Sequence, residues 1–461
     1  MALSYFDPPR WMRGAMIGTS LLLVACTREM PQQSGLVQTP EAFGSNGASE
    51  RQTRWWQSFD DPKLNALILD ALENSADLAT IWERFQAADA LARREQSGLF
   101  PEVDLFFRGQ TEKGQNGRNE SFNGGLSASY EIDFWGRIRS QTEAGQLRSE
   151  AALADYETAA LSLTGEIAIA WYRILARLET LSLIEEQIRV NESVVESLLT
   201  RFQGGQARSV DVLRQEQLLE ATRELKVVAE SDIAVLQHRL SVLTGQLPRR
   251  ASKVEQSKLP DLPDLPATGV PAELLLRRPD LQASYLKLLA ADHDLASAIS
   301  ERFPRIDLTA NLRSSTEGGS DLFDDWLRSA AGDLIGPIID GGNRRAEVTR
   351  RKSLLRQRSN EFIQASLLAY QEVEDALIRE EKETERFANL HRQLELQSSA
   401  FLQLRQEFLS GVGNYIDVLS SQTEAQQLER DLIESQRRQI EFRIALHRAL
   451  AGPINAAEMK E

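Results

Sequence analysis

The residues that could carry chemistry are few and widely spaced along this chain. Its one cysteine is Cys26, so no intrachain disulfide can form, and its four histidines are His238, His293, His391 and His447. A zinc-type metal site needs Cys or His ligands at short, regular spacings, which this sequence lacks. It also lacks a phosphate-binding loop, a G-x-S-x-G turn and an H-E-x-x-H helix. We therefore predict neither a metal site nor an enzyme.

Cys26 has the sequence context of a lipid attachment site. An apolar run from about residue 14 to 25 precedes it, and Arg10 and Arg13 precede the run. This order is typical of a secretory signal peptide, predicted at residues 1–25, because the run is shorter than the roughly 20 residues of a membrane-spanning helix. The letters "LVAC" resemble a bacterial lipobox, in which the thiol is acylated and starts the mature protein. The only cofactor we expect is therefore covalent lipid on Cys26; an incidental or buried cysteine is the alternative.

The overall charge restricts the kinds of partner. The chain has 68 acidic and 53 basic side chains and a net charge of −15. Such a balance disfavours nucleic acid and anionic lipid as partners and favours cations. The acidic and basic run "REEKETER" (379–386) could supply carboxylates to a periplasmic enzyme, but on a helix it predicts a solvated face of ion pairs.

Several stretches recur at nearly one offset, which indicates a duplicated half. "GLFPEVDLFF" (98–107) matches "ERFPRIDLTA" (301–310) at a displacement of 203 residues, and "RFQGGQARSVDVL" (201–213) matches "EFLSGVGNYIDVL" (407–419) at 206. A unit of this size is far longer than a solenoid repeat, so two-fold pseudo-symmetry is predicted. The predicted segments are the signal peptide (1–25), a lipid anchor and linker (26–63), a first repeat (64–258), a Pro-rich connection (259–271), a second repeat (272–453) and a tail (454–461).

Each repeat contains a long proline-free stretch of strong helix formers. Residues 138–200 and 344–407 carry apolar side chains at three-and-four spacing. A helix of about 65 residues is roughly 97 Å long. Each is followed by a glycine-containing turn and a returning helix of about 37 residues by the same pattern. Two long helical hairpins per chain are therefore predicted.

The remaining segments alternate as strands do. In "RIDLTANLRSS", Ile306, Leu308 and Ala310 fall on one face and Asp307 and Thr309 on the other. Hairpins are predicted at about 101–133 and 304–339, with strands of about ten residues. Such strands suit a membrane-spanning barrel with the apolar face outward, although a soluble sheet packed on helices is the alternative. Closed barrels have at least eight strands, so four strands per chain could form a barrel only if several chains contribute strands to it. Three chains would give twelve strands.

The ordered landmarks together resemble a known family. "FWGRIRS", "LLLRRPDLQAS", "IIDGGNRRAEV" and "SGVGNYIDVLSSQ" are similar to stretches of the TolC-like outer-membrane factors, in particular the OprM- and NodT-like lipoprotein branch of tripartite RND-type drug efflux systems. The resemblance implies a mainly α fold with a transmembrane β portion. It implies a homotrimer whose twelve-strand barrel sits in outer-membrane lipid and whose helical tunnel crosses the periplasm. An adaptor (membrane fusion) protein and an inner-membrane pump would be its partners.

The resemblance also marks a gate at the periplasmic helix turns. Asp417 falls where relatives carry an aspartate at the constriction, so three copies would form an acidic ring that attracts cations. Phe408, Gly413 and Ser420 depart from the tyrosine, arginine and second aspartate of the family's namesake, which weakens the case for a polar latch. The alternative for Asp417, and for its repeat mate Asp211, is a solvated helix residue.

Four glycines at the two turns are expected to serve turn geometry first and adaptor contact second. They are Gly204, Gly205, Gly411 and Gly413. The function implied is a passive exit duct for drugs or other small molecules. A type I protein secretion channel and a lipid-anchored periplasmic coiled-coil scaffold are the alternatives.

Overall fold

The computed structural model describes residues 41–47, 54–114, 117–248, 258–317, 324–452 and 454. Every element below lies within residues 39–461. The predicted signal peptide and Cys26 lie outside the described residues.

The described helices follow the predicted periodicity. They are α1 (Pro62–Asn74), α2 (Ala76–Ser97), α3 (Arg137–Gln203), α4 (Ser209–Leu243), α5 (Pro271–Arg277), α6 (Pro279–Ser300), α7 (Asn343–Leu409) and α8 (Tyr415–Leu450). The two long helices, α3 and α7, have 67 residues each, which corresponds to about 100 Å. The prediction of two long helices with shorter returning helices is confirmed.

The long helix α3 is covered by different partners along its length. Near its start, Arg148 pairs with Asp294 of α6 at 2.5 Å. Farther along, Glu192 pairs with Arg223 of α4 at 2.8 Å. Because α4 is about half as long as α3, α2 and α6 cover the half that α4 cannot reach.

An aromatic core holds the middle of this unit together. A 3-10 turn at Trp55–Phe59 inserts its rings beside Tyr172 of α3 and His447 of α8. Asp61 caps α1 by accepting the backbone N–H groups of residues 63 and 64, and its other oxygen accepts the Trp171 indole N–H at 2.7 Å. This stretch, predicted as part of a linker, is therefore packed into the core.

The strands form one antiparallel sheet in the order β1-β2-β3-β4. They are β1 (Glu102–Gly114), β2 (Gly117–Ile132), β3 (Arg305–Thr316) and β4 (Leu327–Ile335). β2 pairs with β3, so the two repeats share the sheet. The strands have 13, 16, 12 and 9 residues, and three of them exceed the predicted ten because pairing continues into the polar hairpin loops.

The register confirms the predicted alternation. One row across the four strands consists of Val103, Ala128, Ala310 and Ala330. The next row consists of Asp104, Ser127, Asn311 and Ser329. Since side chains of adjacent rows point to opposite faces, the sheet has one apolar and one polar face.

Candidate functional site

The two helix turns, the α3–α4 turn (residues 204–208) and the α7–α8 turn (residues 410–414), pack on a common apolar cluster. Its buried members are Leu198, Val212, Tyr415 and Val418, and Phe408 packs against them. Burial raises the pKa of the Tyr415 phenol, and the nearby Asp211 charge adds to the shift. The two hairpin ends therefore form one compact tip in each chain.

Two of the four predicted turn glycines adopt a left-handed backbone. Gly205 has φ 73° and Gly411 has φ 82°, a region that glycine enters without steric cost. Each ends a long helix and lets the chain reverse. Gly204 lies at the same turn without a positive φ, and an added Cβ at Gly413 would lie 3.0 Å from the Phe408 nitrogen.

The repeat mates Asp211 and Asp417 occupy the same helical position in opposite environments. Each is the third residue of its helix, α4 or α8. Asp211 is only 3% exposed and accepts hydrogen bonds from the Arg208 guanidinium at 2.8 and 3.0 Å. The interpretation of Asp211 as a solvated residue is therefore wrong, because a neighbouring arginine covers it. Asp417 is exposed, and its carboxylate has no ion pair within the part of the chain that the structure describes.

Of the other predicted gate residues, Phe408 and Gly413 lie against each other within the tip. The Phe408 ring contacts the Tyr415 ring at 5.2 Å between centroids, and the Arg201 guanidinium lies 5.5 Å from its centre. Phe408 thus contributes to the tip's internal packing, with a cation–π contact. Ser420 is exposed on α8, as Asp417 is.

A buried polar hub above the tip was not predicted. The Asn191 side-chain oxygen accepts hydrogen bonds from Gln422 at 2.7 Å and from Gln426 at 3.1 Å, and its nitrogen donates to Thr222 at 3.0 Å. All four side chains are buried between α3, α4 and α8. Buried amides of this kind fix the register of packed helices. In a sequence, amides on helices give no sign of burial.

A groove of about 500 Å³ separates the two helical hairpins beside the tip. Its lining includes the apolar residues Val194, Phe401 and Val418. Two charged groups of the lining, Arg189 and Glu186, pair with each other, and Arg405 lies beside them in the groove.

A buried ion pair joins the middle of α7 to the C-terminal third of α8. Arg443 donates to Glu380 at 2.9 Å, and its side chain is 4% exposed. Ser435 donates to Glu383 at 2.6 Å, and Glu383 is buried too. The prediction of a solvated face at 379–386 is therefore wrong for Glu380 and Glu383, because α8 covers them.

His447 is a neutral histidine packed in the aromatic core. Its ring stacks on Trp55 at 5.7 Å between centroids. Burial, with the nearby Arg443 charge as a smaller cause, lowers the pKa of His447 to about 4. Within the described residues, no three His, Cys, Asp or Glu side chains are grouped as a metal site would require.

The apolar face of the sheet is exposed. Leu105 is 82% exposed, and Val103, Phe107, Leu308 and Leu334 on the same face are exposed as well. No described helix is both long enough and apolar enough to cross a membrane.

Comparison with known proteins decides the family. The model of the outer membrane efflux protein family matches residues 67–246 and 270–452. The chain is an outer membrane efflux protein. The pyoverdine export outer membrane protein OpmQ of Pseudomonas putida is 28% identical and aligns over 95% of this chain and 96% of its own length. The toluene efflux pump outer membrane protein TtgF of Pseudomonas putida is also 28% identical, over 95% of each chain.

Solved structures agree with this assignment. The outer-membrane channel OprN superposes with a TM-score of 0.85 and 27% identity, covering 91% of this chain and 98% of that one. VceC of Vibrio cholerae superposes with a TM-score of 0.82 over 88% of this chain and all of its own, and at 22% identity it supports the fold alone. The predicted family, TolC-like fold, outer-membrane location and efflux-channel function are confirmed. The efflux protein therefore lies in the outer membrane and extends into the periplasm.

Proposed function

We propose that three copies of this efflux protein form one passive duct, which conducts small molecules from a periplasmic adaptor and an RND-type inner-membrane pump to the exterior. The observation that carries the proposal is the four-stranded sheet with an exposed apolar face. Four strands are too few to close, whereas three copies supply twelve. No bond is made or broken in this function, so no catalytic residue is expected.

The edges of the sheet support assembly through strand pairing. Within the described residues, β1 and β4 each pair on one side only. Unpaired edges of long strands are templates for further pairing, and closure into a barrel removes them. Pairing of β4 with β1 of the next copy would place every apolar face toward lipid and every polar face toward the lumen.

The helices continue the same arrangement below the sheet. Each strand adjoins one helix, and these helices are α2, α3, α6 and α7. Neighbours in this order pack side by side. Three copies would therefore surround one axis with twelve helices, narrowing toward the tips.

Asp417 is the residue we assign to the gate. It is exposed at the tip, and none of the described cations of this chain forms an ion pair with its carboxylate. A ring of three carboxylates around an axis raises the local cation concentration and determines part of the channel's ion selectivity. Ser420, exposed on the same helix, would line the same constriction, whereas Phe408 and Gly413 would support it from within the tip.

The remaining partners follow from the tips and the amino terminus. The turn glycines Gly204, Gly205, Gly411 and Gly413 would offer backbone to the adaptor. Covalent lipid on Cys26 would add a second membrane attachment. Cys26→Ser should abolish lipid labelling and leave the signal peptide uncut or cut elsewhere, and unmodified wild-type protein would contradict the anchor. The relatives' names, which mention pyoverdine export and toluene efflux, suggest small organic molecules as the cargo here.

Two measurements on detergent-extracted protein test the duct. Its mass should equal that of three chains, and in planar bilayers it should give discrete conductance steps. A monomer without conductance would favour the lipid-anchored scaffold instead. Conductance with transport of an unfolded polypeptide would favour a type I secretion channel.

A further inference from the structure

The first turns of α7 carry a cationic face in an otherwise acidic protein. Residues 343–358 contain seven basic side chains and one acidic side chain. Arg345, Lys352 and Arg356 are exposed and have no ion pair with any residue that the structure describes. Their spacing of seven and four residues places them on one side of the helix. We call these three residues the cationic face.

The other cations of residues 343–358 differ from the cationic face because each forms an ion pair with a carboxylate. The paired cations of this segment are Arg344 with Asp340, Arg350 and Arg351 with Glu347, and Arg358 with Glu361. At the equivalent start of α3 in the first repeat, the cations are also paired. They are Arg137 with Glu131, Arg139 with Asp133 and Arg148 with Asp294. The cationic face is therefore a feature of the second repeat alone at this level.

The junction between sheet and helices marks a membrane surface. Ile338 and Ile339, just before α7, are 97% and 92% exposed. Trp135 stacks on Phe303 at 4.7 Å, and its indole N–H donates to the Pro304 carbonyl at 2.6 Å. Exposed aromatic side chains next to an apolar strand face are typical of the interface between lipid and water.

The rise of the helix sets the depth of each cation. The headgroup layer is about 5–8 Å thick. Measured from Asn343 at 1.5 Å per residue, Arg345 lies about 3 Å along α7, Lys352 about 14 Å and Arg356 about 20 Å. Arg345 therefore lies within the headgroup layer. Lys352 lies within about one Debye length of that layer at physiological salt, and Arg356 lies beyond it.

We propose that the cationic face binds the phosphates of anionic phospholipid in the leaflet where the strands meet the helices. A guanidinium offers paired N–H donors that match phosphate oxygens, and an ammonium adds a point charge. The net charge of the whole chain argued against anionic lipid. A charge acts only over about one Debye length, however, so the local surface decides what binds there. This inference rests on the outer-membrane location and is independent of the duct.

The test is lipid exchange on the purified full-length protein in micelles that contain phosphatidylglycerol and phosphatidylcholine, with bound lipid counted by mass spectrometry. Arg345→Gln should lower the preference for phosphatidylglycerol about fivefold, the effect of one cation at an anionic surface. Lys352→Gln should lower it less, and Arg356→Gln least. Arg345→Lys should retain most of the preference, which separates loss of charge from loss of fold.

A matched control on the same helix removes three charges far from the junction. Arg379, Lys382 and Arg392 are exposed and paired with carboxylates of their own helix. The triple change of these residues to Gln should leave the preference unchanged, whereas the triple Gln variant of the cationic face should abolish it. Equal preference in the wild type and the cationic-face variant would overturn the proposal. A shifted channel reversal potential with unchanged lipid preference would also overturn it, because the cations would then face the lumen.

Discussion

Replacement of Leu308 by arginine tests which face of the sheet meets lipid. Leu308 lies opposite Tyr130 and Gly332 on the apolar face. It is the fourth residue of β3, so it lies about 10 Å along the strand and, with a strand tilt of about 40°, roughly 8 Å above its start. The apolar band of such barrels is about 25 Å tall, so Leu308 lies between the interface and the midplane.

The depth fixes the expected cost. An arginine costs about 2–4 kcal/mol at the midplane and about 0–1 near the interface, so Leu308→Arg should cost about 2 kcal/mol per copy. Ala310, two residues farther, lies near the midplane, and Ala310→Arg should cost more. Thr309→Arg places the same side chain on the polar face and is the matched control. It should change the folding free energy little.

The assay is folding from urea into lipid vesicles, with the folded fraction read from heat-dependent electrophoretic mobility and the free energy from guanidinium titration. The order of cost should be Ala310→Arg, then Leu308→Arg, then Thr309→Arg. A cost at Thr309 equal to that at Leu308 would refute the assignment of faces, and indifference at all three positions would refute a membrane location of the sheet.

Three further predictions concern charge. Asp417→Asn should shift the reversal potential of the open channel toward weaker cation preference. Asp211→Asn should destabilise the packing of the tip and leave the reversal potential unchanged. If neither variant shifts the reversal potential, no acidic ring exists. Arg443→Met should cost about 3–5 kcal/mol in denaturant titration by leaving Glu380 charged and unpaired, and adding Glu380→Met should restore most of it; a double variant as weak as the single one would contradict this. The pKa of folded His447 is about 4, whereas that of an unfolded histidine is about 6.5, so the unfolded chain binds a proton first as the pH falls. The free energy of unfolding should therefore fall by about 3 kcal/mol between about pH 6.5 and pH 4. His447→Phe should flatten this pH dependence, and an unchanged pH dependence would show that another group titrates.

Local patterns predicted the elements because each carries its own periodicity. The alternation through Ile306, Leu308 and Ala310 was sufficient to assign the faces of β3, and the register agrees with it. The order of the strands was harder to predict. That β2 pairs with β3 depends on contacts between residues about 180 positions apart, such as Ala128 with Ala310, which the alternation within one strand does not encode.

The buried polar groups could not be predicted, because their types suggest solvent. Glu380 lies in a run of alternating charges, which usually indicates a solvated helix face. Its partner Arg443 is 63 residues away, and the pair becomes buried only when α8 packs on α7. The same holds for Asn191, whose partner Gln422 is 231 residues away. An amide or a charge on a helix shows its environment only after the helices are packed.

The two helix turns of the tip show how a duplicated segment can acquire two roles. Asp211 and Asp417 are equivalent by repeat and by helical position, yet the residue three positions earlier differs. In the first repeat it is Arg208, whose guanidinium and backbone N–H both donate to the Asp211 carboxylate. In the second it is Asn414, whose own side chain accepts the Ile416 N–H at 3.3 Å and supplies no cation. Because Asn414 caps the helix but offers no cation, the Asp417 carboxylate lies exposed at the surface without an ion pair among the described residues. The Asp211 carboxylate is instead buried in the tip and paired with Arg208.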